Sequence, residues 1–182
     1  MAQTLACSLI NSRLDYCNSL LHRAPESTLK KQQWSQNNAA HVVFVANRQS
    51  DAKALLRQLH WLPVRQRVLY KMAALMRKTR TSGVPTYLNK HLIPHISVRC
   101  THFASLPLLT VPKLTSDLSR CSFCYSAPIT WNSLLSNILL CNSDSVFKKH
   151  LKTFLFKTAW LTVICHLCSS TYWRYINMIS IV

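Results

Sequence analysis

The side chains best suited to chemistry in this chain of 182 residues are its cations. Arg67, Lys71 and Lys78 succeed one another at spacings of four and seven, which on a 3.6-residue helix sets all three along one flank. Arg65, Arg77 and Arg80 scatter around the same segment. Lys148, Lys149 and Lys152 recur later in the chain, off an apolar face, with Phe156 among them. Cations mounted in this way suit the successive phosphates of a polynucleotide, and an aromatic among lysines suits stacking on unpaired bases. The same patterns also fit solvated helix faces and a phenylalanine packed on a neighbouring element.

The charge balance points the same way. There are 22 Lys and Arg against 5 Asp and Glu, a formal net charge of +17. The basic count is ordinary and the shortage of acids is not. Such an excess favours polyanions through counterion release, or an acidic membrane surface. It also fits a translated sequence never selected for solubility.

Other chemistries have thinner support. Cys121/Cys124 and Cys165/Cys168 have the paired spacing of zinc ligands, and His150, His166 or Cys141 could complete a tetrahedral set. The two pairs lie far apart in the chain, and no metal or other cofactor is expected. Gly83 is the only glycine, too few for a phosphate-cradling loop. With no charged-then-apolar leader, the 8 cysteines read as reduced thiols, with cytoplasm or nucleus as the default location.

Helices must position these cations. Residues 3–22 read as one helix with Leu5, Leu9, Cys17, Leu20 and Leu21 on one face, ended by Pro25. A second runs from Thr28 to Ala46. A third, from Asp51 to His60, turns Leu55, Leu56 and Leu59 inward. Pro63 fixes its own φ near the helical value and starts the next, Val64 to Thr79, with Val64, Val68, Met72, Leu75 and Met76 as its apolar stripe. Residues 81–85 form a turn, followed by a short helix from Pro85 to Ile93. The last helix, Ser145 to Ala159, has Ser143 or Asp144 as N-cap and Phe147, Leu151, Phe154 and Leu155 inward. Residues 94–130 lack a sustained period and are rich in proline. They read as an irregular insertion with a short β-hairpin around Leu106 to Leu114. The fold class is therefore mainly α, and few turns can use positive φ with a single glycine. Trp61 and Trp131 read as buried anchors rather than base-stacking platforms.

Seven blocks carry a family resemblance. They are Ser12-Arg13-Leu14-Asp15-Tyr16-Cys17-Asn18-Ser19-Leu20-Leu21; Gln36-Asn37-Asn38-Ala39-Ala40; Leu59-His60-Trp61-Leu62-Pro63-Val64-Arg65-Gln66-Arg67; Pro85-Thr86-Tyr87-Leu88; Leu109-Thr110-Val111-Pro112; Ala127-Pro128-Ile129-Thr130-Trp131-Asn132-Ser133-Leu134; and the run from Asp144 through Phe156. In this order they resemble the region just after the polymerase core in reverse transcriptases of non-LTR (LINE-type) retrotransposons, above all the jockey-like and chicken-repeat-like elements. The likeness covers about residues 10–159, and Met1 falls inside the family's alignable region. Residues 160–182 have no counterpart in it and read as an unrelated apolar tail. The chain departs from the family's pattern at Gln32 and Ser35, where apolar residues are usual, and at Asn38, where a small one is. It also has Val98-Arg99-Cys100-Thr101-His102 in place of an Arg-Ser-Ser-Asp-type stretch.

The resemblance implies reverse transcription for a complete protein, but not for this chain. Nucleotide transfer of that kind needs clustered carboxylates holding two divalent ions, including an adjacent Asp-Asp pair. The acids here are Asp15, Glu26, Asp51, Asp117 and Asp144, none adjacent. The endonuclease that relatives carry upstream is missing too. The expected function is a non-catalytic remnant that grips RNA or DNA without sequence preference, through Arg65, Arg67, Lys71, Lys78, Lys148, Lys149 and Lys152. The alternatives are an inert relic reading frame, or a small protein weakly held at a membrane by its tail. That tail is interrupted by His166 and Arg174, which argues against a spanning helix.

Overall fold

The computed structural model describes residues 2–96 and 106–161. Helices built from the periodic segments make the fold, and among the described residues the only β pairing is one antiparallel bridge between Pro94 and Leu109. No helix among these residues is long and apolar enough to cross a membrane. The tail beyond Leu161 lies outside them, so the anchor reading of that segment finds no structural statement.

The periodic stripes become the core. Helices α1 (Ala2–Ala6) and α2 (Ser12–Asp15) lead into α3 (Glu26–Phe44), α4 (Ala52–Gln58) and α5 (Val64–Ser82). Val64, Val68, Met72 and Met76 of α5 are all buried. Gly83 closes α5 at φ +69°, with its N–H donating to Thr79 O at 2.9 Å, the left-handed cap a glycine adopts without a steric penalty. Short helices α6 (Thr86–Asn89), α7 (Asp117–Arg120), α8 (Phe123–Asn132) and α9 (Ser136–Leu139) precede α10 (Asp144–Leu161), which buries Phe147, Leu151 and Leu155.

Two apolar clusters result. One joins α5, α8, α9 and α10 around Trp131, Phe147, Met72 and Met76; the other joins Ala6, Ala39, Ala40, Leu56, Leu59 and Trp61. Consecutive residues tie them together, because Trp61 belongs to the second cluster and Leu62 to the first. The stretch is clamped from α3: Gln36 Nε2 donates to Leu62 O at 2.9 Å, and Gln33 Oε1 accepts from Val64 N–H at 2.9 Å. Pro63 has no N–H to offer, so Gln33 satisfies one of the first free donors of α5.

Several expectations are corrected. The N-terminal segment is not one helix. After α1 it passes through a π-helical turn (Cys7–Asn11) and α2 to a left-handed Cys17 and a 3₁₀ turn (Asn18–Leu21). Leu5, Leu9, Cys17 and Leu20 are exposed, and Ala6, Asn11 and Asn18 are the buried residues. Polar contacts to α5, described below, set this register in place of the leucine stripe. The expected hairpin is absent from 106–114: Leu109 bridges to Pro94 and is held by Asn132, which accepts from Leu109 N–H at 3.0 Å and donates to Leu109 O at 2.8 Å. Part of the proline-rich insertion is helical, since α8 runs through Pro128. A proline inside a helix costs about 3 kcal/mol, and burial of Ala127, Thr130 and Trp131 on the same helix offsets it. Positive φ is also commoner than one glycine suggested. Cys17, Arg23, Val45 and His60 adopt it without being glycine, at about 1–2 kcal/mol each.

The polar residues of α3 give opposite expectations. Gln36 is fully buried and bonded, whereas Gln32 has a buried Oε1 with no partner. Gln36→Leu is expected to lower stability by about 1–3 kcal/mol because Leu62 O loses its donor, while Gln32→Leu is neutral or stabilising by up to about 1 kcal/mol. Urea midpoints at constant m-value distinguish the two. Ser35 is exposed and bonds its own helix at Lys31 O, so an apolar residue there would add nothing to the core.

Candidate nucleic-acid interface

Helices α5 and α10 lie antiparallel. At one end Arg77 Nε donates to Asp144 Oδ1 at 3.0 Å and its guanidinium sits 5.3 Å from the centre of the Phe147 ring. At the other end His60, just before α5, meets the Phe156 ring with centroids 5.6 Å apart. Between these ends the two helices and the N-terminal segment enclose a cleft of about 570 Å³. Lys71 reaches it from α5 and Lys152 from α10, with Arg67, Asp15, Asn18, His60 and Tyr70 among the other residues that line it.

Why the cleft is positive follows from where the carboxylates sit. Arg65 pairs with Glu26, Arg67 with Asp15, Arg77 with Asp144 and Arg120 with Asp117. The fifth acid, Asp51, caps α4 by accepting from Lys53 N–H at 3.0 Å. Every carboxylate is thus engaged by an arginine or by a helix end, and among the described residues no lysine is ion-paired. An arginine fork matches a carboxylate in two contacts, whereas lysine offers a point charge.

The seven predicted residues separate accordingly. Arg67, Lys71 and Lys152 meet in the cleft. Lys78 lies two turns beyond Lys71 on the same flank of α5, and Lys148 one turn before Lys152 on α10, both exposed. Lys149 is exposed one step round α10 from Lys148. Arg65 lies outside the cleft lining, in an exposed pair with Glu26 of the kind that contributes little to stability. Arg67 has a different position from the one its spacing suggested. Its Nε donates to Asp15 Oδ1 at 2.8 Å, Nη2 to Asp15 Oδ2 at 2.6 Å and Nη1 to Asn11 Oδ1 at 2.8 Å, so it braces the cleft wall.

Asn18, His60 and Tyr70 are among the lining groups that escaped the sequence reading. Asn18 and His60 stand in resemblance blocks without any charge pattern to single them out, and Tyr70 looks like one more helical aromatic. Burial pushes the Tyr70 phenol up from its ordinary range, so it is protonated at neutral pH and can donate. Trp34, also unremarked, is 67 % exposed on α3. Trp61 and Trp131 are buried as expected. Phe156 is half-buried between His60 and Trp160, packing rather than presenting a free ring. A second hollow of about 650 Å³ is lined by Leu21, His22, Arg23, Leu29, Arg65 and neighbours, but by no lysine.

Among the described residues, no three His, Cys, Asp or Glu side chains gather as a metal site. Cys141 Sγ approaches His150 Nδ1 at 3.5 Å as an isolated pair. Cys165, His166 and Cys168 lie outside the described residues.

No family model, curated protein or solved structure matches this chain. Several of the sequence blocks quoted above touch one another. Asp15 of the first block holds Arg67 of the third, Gln36 of the second holds Leu62 of the third, Asn132 of the sixth holds Leu109 of the fifth, and Trp131 of the sixth stacks on Phe147 of the seventh.

Proposed function

We propose that this chain is a non-catalytic polynucleotide-binding module, related to the post-polymerase region of non-LTR retrotransposon reverse transcriptases. The observation that carries this reading is the sorting of charge. Arginines take up the carboxylates and lysines remain unpaired, with Lys71 and Lys152 facing one cleft and Lys78, Lys148 and Lys149 nearby on the same two helices. Contacts between the resemblance blocks support a shared architecture. Separate engagement of the five acids leaves no carboxylate cluster for a two-metal polymerase among the described residues.

Titration of the full chain with single-stranded RNA and DNA over a salt series tests the proposal. Affinity should fall steeply with salt, and Lys71→Ala or Lys152→Ala should each reduce the log–log slope by about 0.7 for a single strand. Lys30→Ala, at an exposed position of α3 outside the cleft lining, serves as the control. A shallow slope indifferent to the cleft lysines in a cooperatively folding sample would overturn the reading. The relic alternative draws on the unpartnered Gln32 Oε1 and on the four positive-φ residues that are not glycine. It expects thermal unfolding without cooperativity.

A further inference from the structure

We infer that His22 is an acid-sensitive latch, and that protonating its imidazole frees the segment 17–25 from α8. This goes beyond the polynucleotide reading and does not rest on it.

The latch joins residues far apart in the chain. The segment connects α2 to α3, and His22 Nε2 lies 3.4 Å from Thr130 Oγ1 of α8. Arg23, the next residue, places its guanidinium 5.8 Å from the centre of the Tyr125 ring on the same helix. Arg23 sits at φ +62°, a left-handed conformation that a residue with a Cβ adopts only at a cost. Contacts rather than local preference therefore hold this part of the segment.

His22 Nδ1 is buried without a hydrogen-bond partner. A neutral ring can leave that nitrogen as a bare lone pair, whereas an imidazolium must carry an N–H there. That N–H would be buried without an acceptor, which is strongly unfavourable.

The surroundings add no counter-charge. Arg23 is beside His22 in the chain, Arg65 of α5 lines the same hollow, and Tyr125 is the titratable group against the segment from α8. Glu26 at the start of α3 is engaged by Arg65, and no carboxylate is among the residues lining the hollow. Burial first, and Arg23 second, hold the His22 pKa below its ordinary 6.5. The latch is therefore closed above that value, and its hold is lost as pH falls below it. The hollow of about 650 Å³ beside the ring gives an imidazolium room to leave Thr130.

Hydrogen exchange of the full chain at about pH 7.5 and about pH 5 tests the latch. The amides of His22 and Ala24, which donate to Ser19 O and Leu21 O, report on the segment. Corrected for the intrinsic pH dependence of exchange, their protection should fall about fivefold or more on acidification, while that of the buried turns of α5 holds. His22→Gln cannot take up a proton and should show no such fall. Unchanged protection in the unaltered chain would overturn the inference, as would a fall that persists in His22→Gln. Should that variant not fold, the imidazole resonances of the unaltered chain decide. A His22 titration midpoint below 6.5, with the segment's amide shifts moving in step, is expected, and a midpoint at or above 6.5 would overturn it.

Discussion

Trp131→Ala is expected to remove cooperative unfolding altogether. The indole is 1 % exposed, lies 5.8 Å from the Phe147 ring in a stacked arrangement, and donates from Nε1 to Pro107 O at 2.9 Å. Arg80 covers it at 5.6 Å from the ring centre while donating to the same Pro107 O at 2.7 Å. One side chain therefore joins α8 to α10, to α5 and to the irregular segment before α7. Truncating a tryptophan in such a setting costs about 3–5 kcal/mol, although Pro107 O keeps its Arg80 donor. A domain of ordinary stability has about 5–15 kcal/mol in total. Circular dichroism on heating should show a broad, sloping loss of helix in place of a transition. Trp131→Phe keeps the stack but not the N–H, and with Pro107 O still held by Arg80 should lose about 0.5–1.5 kcal/mol while still melting cooperatively. A sharp, unshifted transition for Trp131→Ala would mean that this residue is not the centre of the core.

Arg67→Ala carries the next largest effect. It would leave Asn11 Oδ1 without its donor and the Asp15 carboxylate with only the Asn18 amide, in the wall of the cleft. The Arg67 side chain is 14 % exposed but Asp15 is 46 % exposed, so water recovers part of the loss. The expected destabilisation is about 1–3 kcal/mol, below the 3–5 kcal/mol typical of breaking a fully buried pair. Lysine at this position supplies charge without the fork and should restore less than half. A double-mutant cycle with Asp15→Ala reads the coupling directly. Coupling near zero would return Arg67 to the set of freely exposed cations, where its spacing alone had assigned it.

Those two residues also show what the sequence made legible. The stripes of α5 and α10 could be read because each apolar position recurs at 3.6 residues over several turns. Trp131 could be read as an anchor because a large amphipathic ring is buried far more often than presented. Arg67 could not be assigned to Asp15, since helical spacing reports which face a cation occupies but not which distant residue meets it. The N-terminal segment misled for a related reason. Leu5, Leu9 and Leu20 suggested a buried face, yet Asn11 and Asp15 hold the segment to the rest of the fold through polar contacts to Arg67 that have no period. Pro128 misled through its local rule, which tertiary burial of α8 overrides. The cleft was half legible: Lys71 and Lys152 were on the predicted flanks, but their convergence depends on two helices being antiparallel.

The sorting of carboxylates to arginines has one more consequence, for the folded chain by itself. With all five acids engaged, the remaining lysines have no internal counterweight and repel one another across the surface. Dissolved ions relax that repulsion, so the same salt that competes for a bound strand also steadies the empty protein. A bound polyanion does both at once, neutralising the surface and drawing the equilibrium toward the native state by mass action. Ligand and fold are then thermodynamically linked, and the chain is least secure when it is alone in dilute buffer.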